Sequence, residues 1–132
     1  IYYTMPSYYI KVSAFKDKLV EANKEVNWYP DYVGEKRFAN WLSNAKDWNI
    51  SRSRFWGSPI PFFKCSCGHN EMLGSIEELR NRSIEKLPED FDLHKPYIDT
   101  VHLTCPECGG VMERIPDVLD CWFDSGSMPL SI

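Results

Sequence analysis

No apolar run in the chain approaches the roughly 20 residues that a membrane span needs, and no hydrophobic signal segment is visible. A membrane-embedded or secreted protein is therefore not expected. Cysteine is sparse, five in 132 residues, too few for a disulfide-stapled scaffold. Basic residues are not in excess either: the net charge of −4 and pI near 5.3 argue against a free-standing protein held on nucleic acid by phosphate contacts alone. Internal repeats, low-complexity tracts, a glycine-rich phosphate loop and a Ser/His/Asp arrangement are all missing. What is present is ordinary globular material, 43% apolar and 26% charged, long enough to bury a core. A soluble chain in a reducing, cytoplasmic compartment is the expectation. The sequence starts at Ile1 and ends in Ser-Gly-Ser-Met-Pro-Leu-Ser-Ile, which reads as the middle of a strand-to-helix passage, so a piece of something larger is expected.

Four of the cysteines fall in two clusters, Cys65-Ser66-Cys67-Gly68-His69 and Cys105-Pro106-Glu107-Cys108-Gly109-Gly110. In Cys-x-x-Cys-Gly, two intervening residues let both thiolates turn inward on a tight turn, and the glycine tolerates a positive φ. Cys-x-Cys narrows the bite, which leaves His69 as a substitute for either thiolate. A redox Cys-x-x-Cys normally opens a helix, and Gly109-Gly110 would break one. The pattern therefore points to a structural Zn²⁺ held by Cys65, Cys67, Cys105 and Cys108. Four thiolates fill the coordination sphere and leave no position for a catalytic water. Cys121, the unpaired fifth, is expected to be a buried hydrophobe.

Tyr8 to Val12 read as a strand, after which Ser13 caps a helix running to about Asn23. Val26 to Tyr29 read as extended, and Asp31 caps a second helix with Phe38, Trp41, Leu42 and Ala45 on one core-facing stripe. Arg52 and Arg54 lie among Trp48, Phe55, Trp56 and Gly57; arginines flanked by aromatics commonly meet a carboxylate, a phosphate or a base. Ser75-Ile76-Glu77-Glu78 is a capping box. Glu85, Glu89, Asp90 and Asp92 read as solvated surface, and His94 and His102 as structural or exposed, each without a nearby base. Thr100 to Thr104 and Val111 to Ile115 read as strands flanking the second cysteine cluster, a zinc-ribbon hairpin. The Ser-Gly-Ser turn after Trp122 is expected to present backbone N–H groups and an indole face to a small ligand.

Three stretches resemble the isoleucyl-tRNA synthetase family of class I aminoacyl-tRNA synthetases. Asp47-Trp48-Asn49-Ile50-Ser51-Arg52-Ser53-Arg54-Phe55-Trp56-Gly57-Ser58-Pro59-Ile60-Pro61 is similar to that family's Asp-Trp-x-Ile-Ser-Arg-x-Arg-x-Trp-Gly-x-Pro-Ile-Pro. Leu119 to Ser127, containing Trp-Phe-Asp-Ser-Gly, is the second, and Met5 to Ile10 with Val26 to Pro30 the third. The cysteine clusters match zinc knuckles that many members carry. The resemblance implies an α+β fold in which a zinc-ribbon-like hairpin module joins α/β segments of a catalytic domain. Residues 1–61 would be a catalytic-domain segment, 62–115 the zinc-binding connective insertion and 116–132 the return into the catalytic core.

The family activates isoleucine with ATP and Mg²⁺ and transfers it to tRNA(Ile). Its two ATP-binding signatures, of the His-x-Gly-His and Lys-Met-Ser-Lys-Ser types, and its editing domain are not in this sequence. The resemblance therefore implies a fragment that is inactive alone and monomeric or weakly self-associating. It places Trp122 in the amino-acid pocket, with Arg52, Arg54, Trp56 and Asp124 as further substrate-binding positions and no catalytic residue. Valyl and leucyl synthetases are sister alternatives, and an independent zinc-ribbon binding module is the alternative from another class.

Overall fold

The computed structural model describes residues 1–131, which form two compact units, residues 1–50 and residues from 51 onward. Both mix helix and strand, so the α+β expectation holds.

In the first unit, β1 (Tyr9–Ile10) pairs antiparallel with β2 (Trp48–Asn49), matching Tyr9 to Asn49 and Ile10 to Trp48. The expected strand over residues 8–12 is cut short. The backbone N–H and Oγ of Ser13 both donate to Asp47, at 3.0 and 2.7 Å, and the chain turns into a 3₁₀ segment at Val12–Ala14. Ser13 is thus spent on a tertiary contact, and α1 (Lys16–Asn23) begins three residues later.

The second expected helix opens as a π-helix, Val33–Phe38, before narrowing to α2 (Ala39–Ser43). A π turn is wider than 3.6 residues, so the apolar stripe splits instead of staying in one line. Leu42 is buried at 6% exposure while Trp41 stands out at 65%. Phe38 lies between Trp28 and Trp41, with ring centroids 4.8 and 5.5 Å away. Trp28 organises this unit: its Nε1–H donates to Asn23 Oδ1 at 2.9 Å, and Asn23 Nδ2 donates to the Gly34 carbonyl at 3.0 Å. The indole covers Gly34 so closely that a Cβ there would lie 1.9 Å from Trp28 Cδ1. The segment expected to be extended, Val26 to Tyr29, forms no strand because its tryptophan is drawn into this packing.

In the second unit, β3 (Ser51–Arg52) pairs antiparallel with β8 (Val118–Leu119). Between them lies a four-stranded antiparallel sheet in the order β5–β4–β7–β6, made of β4 (Phe62–Cys65), β5 (Asn70–Met72), β6 (His102–Thr104) and β7 (Val111–Arg114). Side chains alternate across it. Phe63, Cys65, Leu103 and Met112 face inward and are buried, while Lys64 and Glu113 pair across the outer face. The core is completed by Leu73, Leu79, Ile98 and Val101, with Leu87, Phe91 and Leu93 packed against it. Leu79 comes from α3 (Ile76–Arg82), whose start follows the expected signal: Ser75 Oγ accepts from Glu78 N–H at 3.1 Å. The return bond of Glu78 Oε2 goes to Gly74 N–H, at 2.9 Å.

Candidate metal centre

Each cysteine cluster is the turn of one β-hairpin, the first between β4 and β5 and the second between β6 and β7. Pairing of β4 with β7 lays the hairpins side by side with Cys65 opposite Met112, which brings the two turns to the same end of the sheet. Each turn is closed by its own backbone. Cys65 N–H donates to the His69 carbonyl at 2.9 Å and Gly68 N–H to the Cys65 carbonyl at 3.0 Å. In the second turn, Cys105 N–H donates to the Gly110 carbonyl at 2.8 Å and Gly109 N–H to the Cys105 carbonyl at 2.9 Å. The first turn is one residue tighter, which is why Cys-x-Cys there serves where Cys-x-x-Cys serves in the second. Gly68 and Gly109 sit at φ +97° and +70°, a region that side chains with a Cβ avoid.

The four sulfurs converge, all within 4.8 Å of one another. Cys65 Sγ lies 3.4 Å from Cys108 Sγ, and Cys67 Sγ lies 3.7 Å from Cys105 Sγ. Tetrahedral coordination with metal–sulfur bonds of about 2.3 Å separates sulfurs by about 3.8 Å, so the donor set and its spacing fit a four-thiolate metal. Gly110 passes directly over the site: a Cβ there would stand 3.1 Å from Cys108 Sγ, and its N–H donates to that sulfur at 3.3 Å. Crowding the thiols pushes their acidities apart. Hydrogen bonds from the Cys67 backbone and the Cys108 thiol lower the Cys65 pKa to about 6. The His69 backbone N–H pulls that of Cys67 down, but its thiol neighbours, Cys65 foremost, drive it up to about 12. The cluster resists holding several negative charges unaided, and a cation removes that conflict.

His69 stands outside the sulfur group. Its Nε2 is 3.2 Å from Glu71 Oε1 and its Nδ1 is 3.1 Å from Glu107 Oε1, so both ring nitrogens face carboxylates. The Glu71 carboxylate beside it raises its pKa most, helped by the charge of Glu107. Arg82 pairs with the second oxygen of Glu71. This polar chain was invisible in the sequence because its members come from three separate stretches, residues 69–71, Arg82 and Glu107.

The remaining candidate residues lie at the β3–β8 end of the same unit. Arg52 Nη2 bonds Asp120 Oδ2 at 2.8 Å, and Nη1 donates to the Ser51 carbonyl at 2.8 Å. Asp120 also caps α4 (Cys121–Ser127), accepting from Trp122 N–H at 3.4 Å. The Trp-Phe-Asp-Ser-Gly-Ser stretch is therefore helix and not a turn, because a capping aspartate stands before it. Asp124 accepts from Ser58 Oγ at 2.9 Å, and Gly57, at φ +145°, allows its loop to lie against Val118. Trp56 meets Phe55 edge-on at 5.2 Å and is 76% exposed, and Trp122 is 70% exposed. Arg54 is exposed and has no hydrogen bond or ion pair among the described residues. Pairing of β3 with β8 thus gathers Arg52 and Asp124 into contacts and leaves Arg54, Trp56 and Trp122 presented outward. An apolar groove of about 390 Å³ beside α3, lined by Pro61, Phe63, Leu73 and Leu79 among others, does not include Trp122.

Two expectations are corrected here. Cys121 is exposed, because the first turn of α4 carries it away from the core. The histidines have carboxylate partners: Glu85 takes both the Nδ1 and the backbone N–H of His102, at 2.7 and 2.9 Å, and Asp92 Oδ1 lies 2.7 Å from His94 Nδ1. Glu85 is correspondingly not simple solvated surface.

Among the described residues no helix is long and apolar enough to cross a membrane. Residues 1–132 match the family model for class I tRNA synthetases (I, L, M and V). An isoleucine–tRNA ligase of Clostridium acetobutylicum is 50% identical over 131 residues, covering 99% of this chain and 13% of that protein. One from Thermus thermophilus is 47% identical over 132 residues, and isoleucine–tRNA ligase 2 of Bacillus cereus is 48% identical over 132, each again covering 99% of this chain and 13% of the relative. The chain thus spans about an eighth of the length of the curated relatives it matches. It belongs to the class I tRNA synthetases of the I, L, M and V group.

Proposed function

We propose that the chain is the metal-bearing part of an isoleucine–tRNA ligase, which joins isoleucine to tRNA(Ile) at the expense of ATP. The observation that carries this reading is the 50% identity to an isoleucine–tRNA ligase sustained over 99% of the chain. Relatives at that level bear the isoleucine name, which disfavours the valyl and leucyl alternatives. A free-standing zinc-ribbon module is disfavoured by the match of residues on both sides of the hairpins.

In this reading Cys65, Cys67, Cys105 and Cys108 hold Zn²⁺ between two hairpins in a zinc-ribbon manner. Zn²⁺ supplies cross-linking there and no acid–base or redox chemistry, since four thiolates saturate it. The paired hairpins give β7 a fixed end, from which the chain passes to β8 and then to α4. The Arg52–Asp120 and Ser58–Asp124 contacts hold α4 against the loop that follows β3. Trp122 and Trp56 then offer apolar ring faces suited to a branched aliphatic side chain, and Arg54 offers a charge suited to a carboxylate or phosphate. ATP and Mg²⁺ are bound by parts of the ligase outside this sequence, whose work is done in the cytoplasm. Residues 1–61 and 116–132 belong to the catalytic domain and 62–115 form the connective insertion.

The test is ATP–pyrophosphate exchange. The intact ligase is expected to show isoleucine-dependent exchange, with Trp122→Ala raising KM for isoleucine about tenfold or more through loss of an apolar contact. The isolated chain is expected to show none. An intact parent that exchanges with valine or leucine in preference to isoleucine would refute the assignment.

A further inference from the structure

We propose that His69 is a positioning residue, a polar clamp that ties one cysteine turn to the other and governs how long the metal stays. This rests on the reading of the four cysteines as a metal site. The sheet supplies only half of the connection between the hairpins. Among the described residues its one seam between them is β4 with β7, while β5 lies at the sheet edge and pairs with β4 alone. Cys65, at the end of β4, is held by that seam. Cys67, within the first turn, has no such strand pairing to the second hairpin among the described residues.

His69 supplies the missing tie. It follows Cys67 in the first turn, and its Nδ1 reaches Glu107 Oε1 at 3.1 Å, between Cys105 and Cys108 in the second turn. On its other side, Nε2 lies 3.2 Å from Glu71 on β5. Glu71 is gripped by Arg82, whose Nη2 also donates to the Thr104 carbonyl at 3.5 Å, immediately before Cys105. The contacts close a ring that passes from α3 through β5 and the first turn to the second turn, then back by Thr104 to α3. The side chains of His69 and Glu71 are only 21% and 22% exposed, so this pair is less screened than an open surface pair. No sulfur is needed for any of these contacts, which separates the clamp from the ligand set.

The experiment loads the purified chain with Co²⁺ and follows transfer of the ion to EDTA. Glu107→Ala, at a side chain 65% exposed, and His69→Gln are each expected to speed release about tenfold, the size seen for groups that orient ligands. Glu107→Gln, which keeps an acceptor, should fall between Glu107→Ala and the parent. The double variant should release no faster than the faster single one, because both remove the same contact. The Co²⁺ ligand-field and thiolate charge-transfer bands should match the parent in every variant. A changed spectrum in His69→Gln would make His69 a ligand and overturn the clamp. Release at the parental rate in both single variants, or additive acceleration in the double, would overturn it too. A chain that takes up no Co²⁺ would defeat the metal reading itself, and the clamp with it.

Discussion

Arg52 and Asp120 meet at 2.8 Å across the β3–β8 pair, and the same carboxylate begins α4. One aspartate, buried to 8% exposure of its side chain, therefore joins a strand, a cation and a helix terminus. Removing it leaves a guanidinium that is 31% exposed and can still reach water. Removing the arginine leaves a carboxylate that is largely shielded from water. Arg52→Ala is thus expected to cost about 3 kcal/mol, the lower end for breaking a buried pair because the arginine is partly solvated. Asp120→Ala forfeits the pair and the cap together, the latter about 1 kcal/mol. Asp120→Asn keeps the cap and should recover about that amount. Urea midpoints of the three variants check the order, and Asp120→Asn as unstable as Asp120→Ala would contradict the double role.

Removal of the metal should loosen the hairpin pair, because the β4–β7 seam and the His69 contacts would then have to hold the two turns together against crowded thiols. In the metal-loaded chain, Cys121 is expected to be the single thiol that reacts rapidly with a disulfide reagent, since it is exposed and lies outside the sulfur group. After chelation all five cysteines should react. The melting transition should move down by a margin corresponding to several kcal/mol, as ligand binding free energy is folding free energy in small metal modules. A melt unmoved by chelation would remove the structural role.

The adjacent glycines of the second turn should fail in different ways. Gly109 adopts φ +70° with open space where a Cβ would go, so Gly109→Ala meets only the backbone penalty, about 1 kcal/mol. For Gly110 the obstacle is the sulfur at 3.1 Å. Gly110→Ala should therefore lower metal affinity more than it lowers the stability of the metal-free chain, with the reverse for Gly109→Ala. Competition with a chromophoric chelator, beside melts of the metal-free variants, separates the two.

The cysteine turns and the hairpin around the second of them were legible because their signals are local: ligand spacing, glycine after the turn, and alternation in residues 100–104 and 111–115. Strands β4 and β5 were not. They read Phe-Phe-Lys-Cys and Asn-Glu-Met, with no apolar–polar alternation to register, and Pro59 and Pro61 precede them. Ser13 carried a sound capping signal that a tertiary partner, Asp47, outbid. Trp41 was placed in the core by a 3.6-residue period that the π-helical turn does not keep. His69 was legible only as a metal-ligating residue type near two cysteines, since the carboxylates that claim it lie on another strand and in the other turn.

The contact that displaced the capping role of Ser13 has a pH signature. Asp47 accepts from the Ser13 hydroxyl and from the Ser13 backbone, and these bonds, with the charge of Lys11, hold its carboxyl below the ordinary aspartate value of 3.8. Because the folded pKa is depressed, the stabilisation is present in full above the unfolded value and is lost as pH falls through the folded one. Carboxyl carbon NMR of residues 1–50 in the intact chain should place the Asp47 midpoint below 3.8. Ser13→Ala removes the hydroxyl bond, the largest cause, and leaves the backbone bond, so the midpoint should rise part of the way and not all of it. Ser13→Pro, which deletes both donors, should bring it close to the ordinary value, with the charge of Lys11 and burial left to act in opposite directions. A midpoint that ignores both substitutions would mean that Asp47 does not hold this turn.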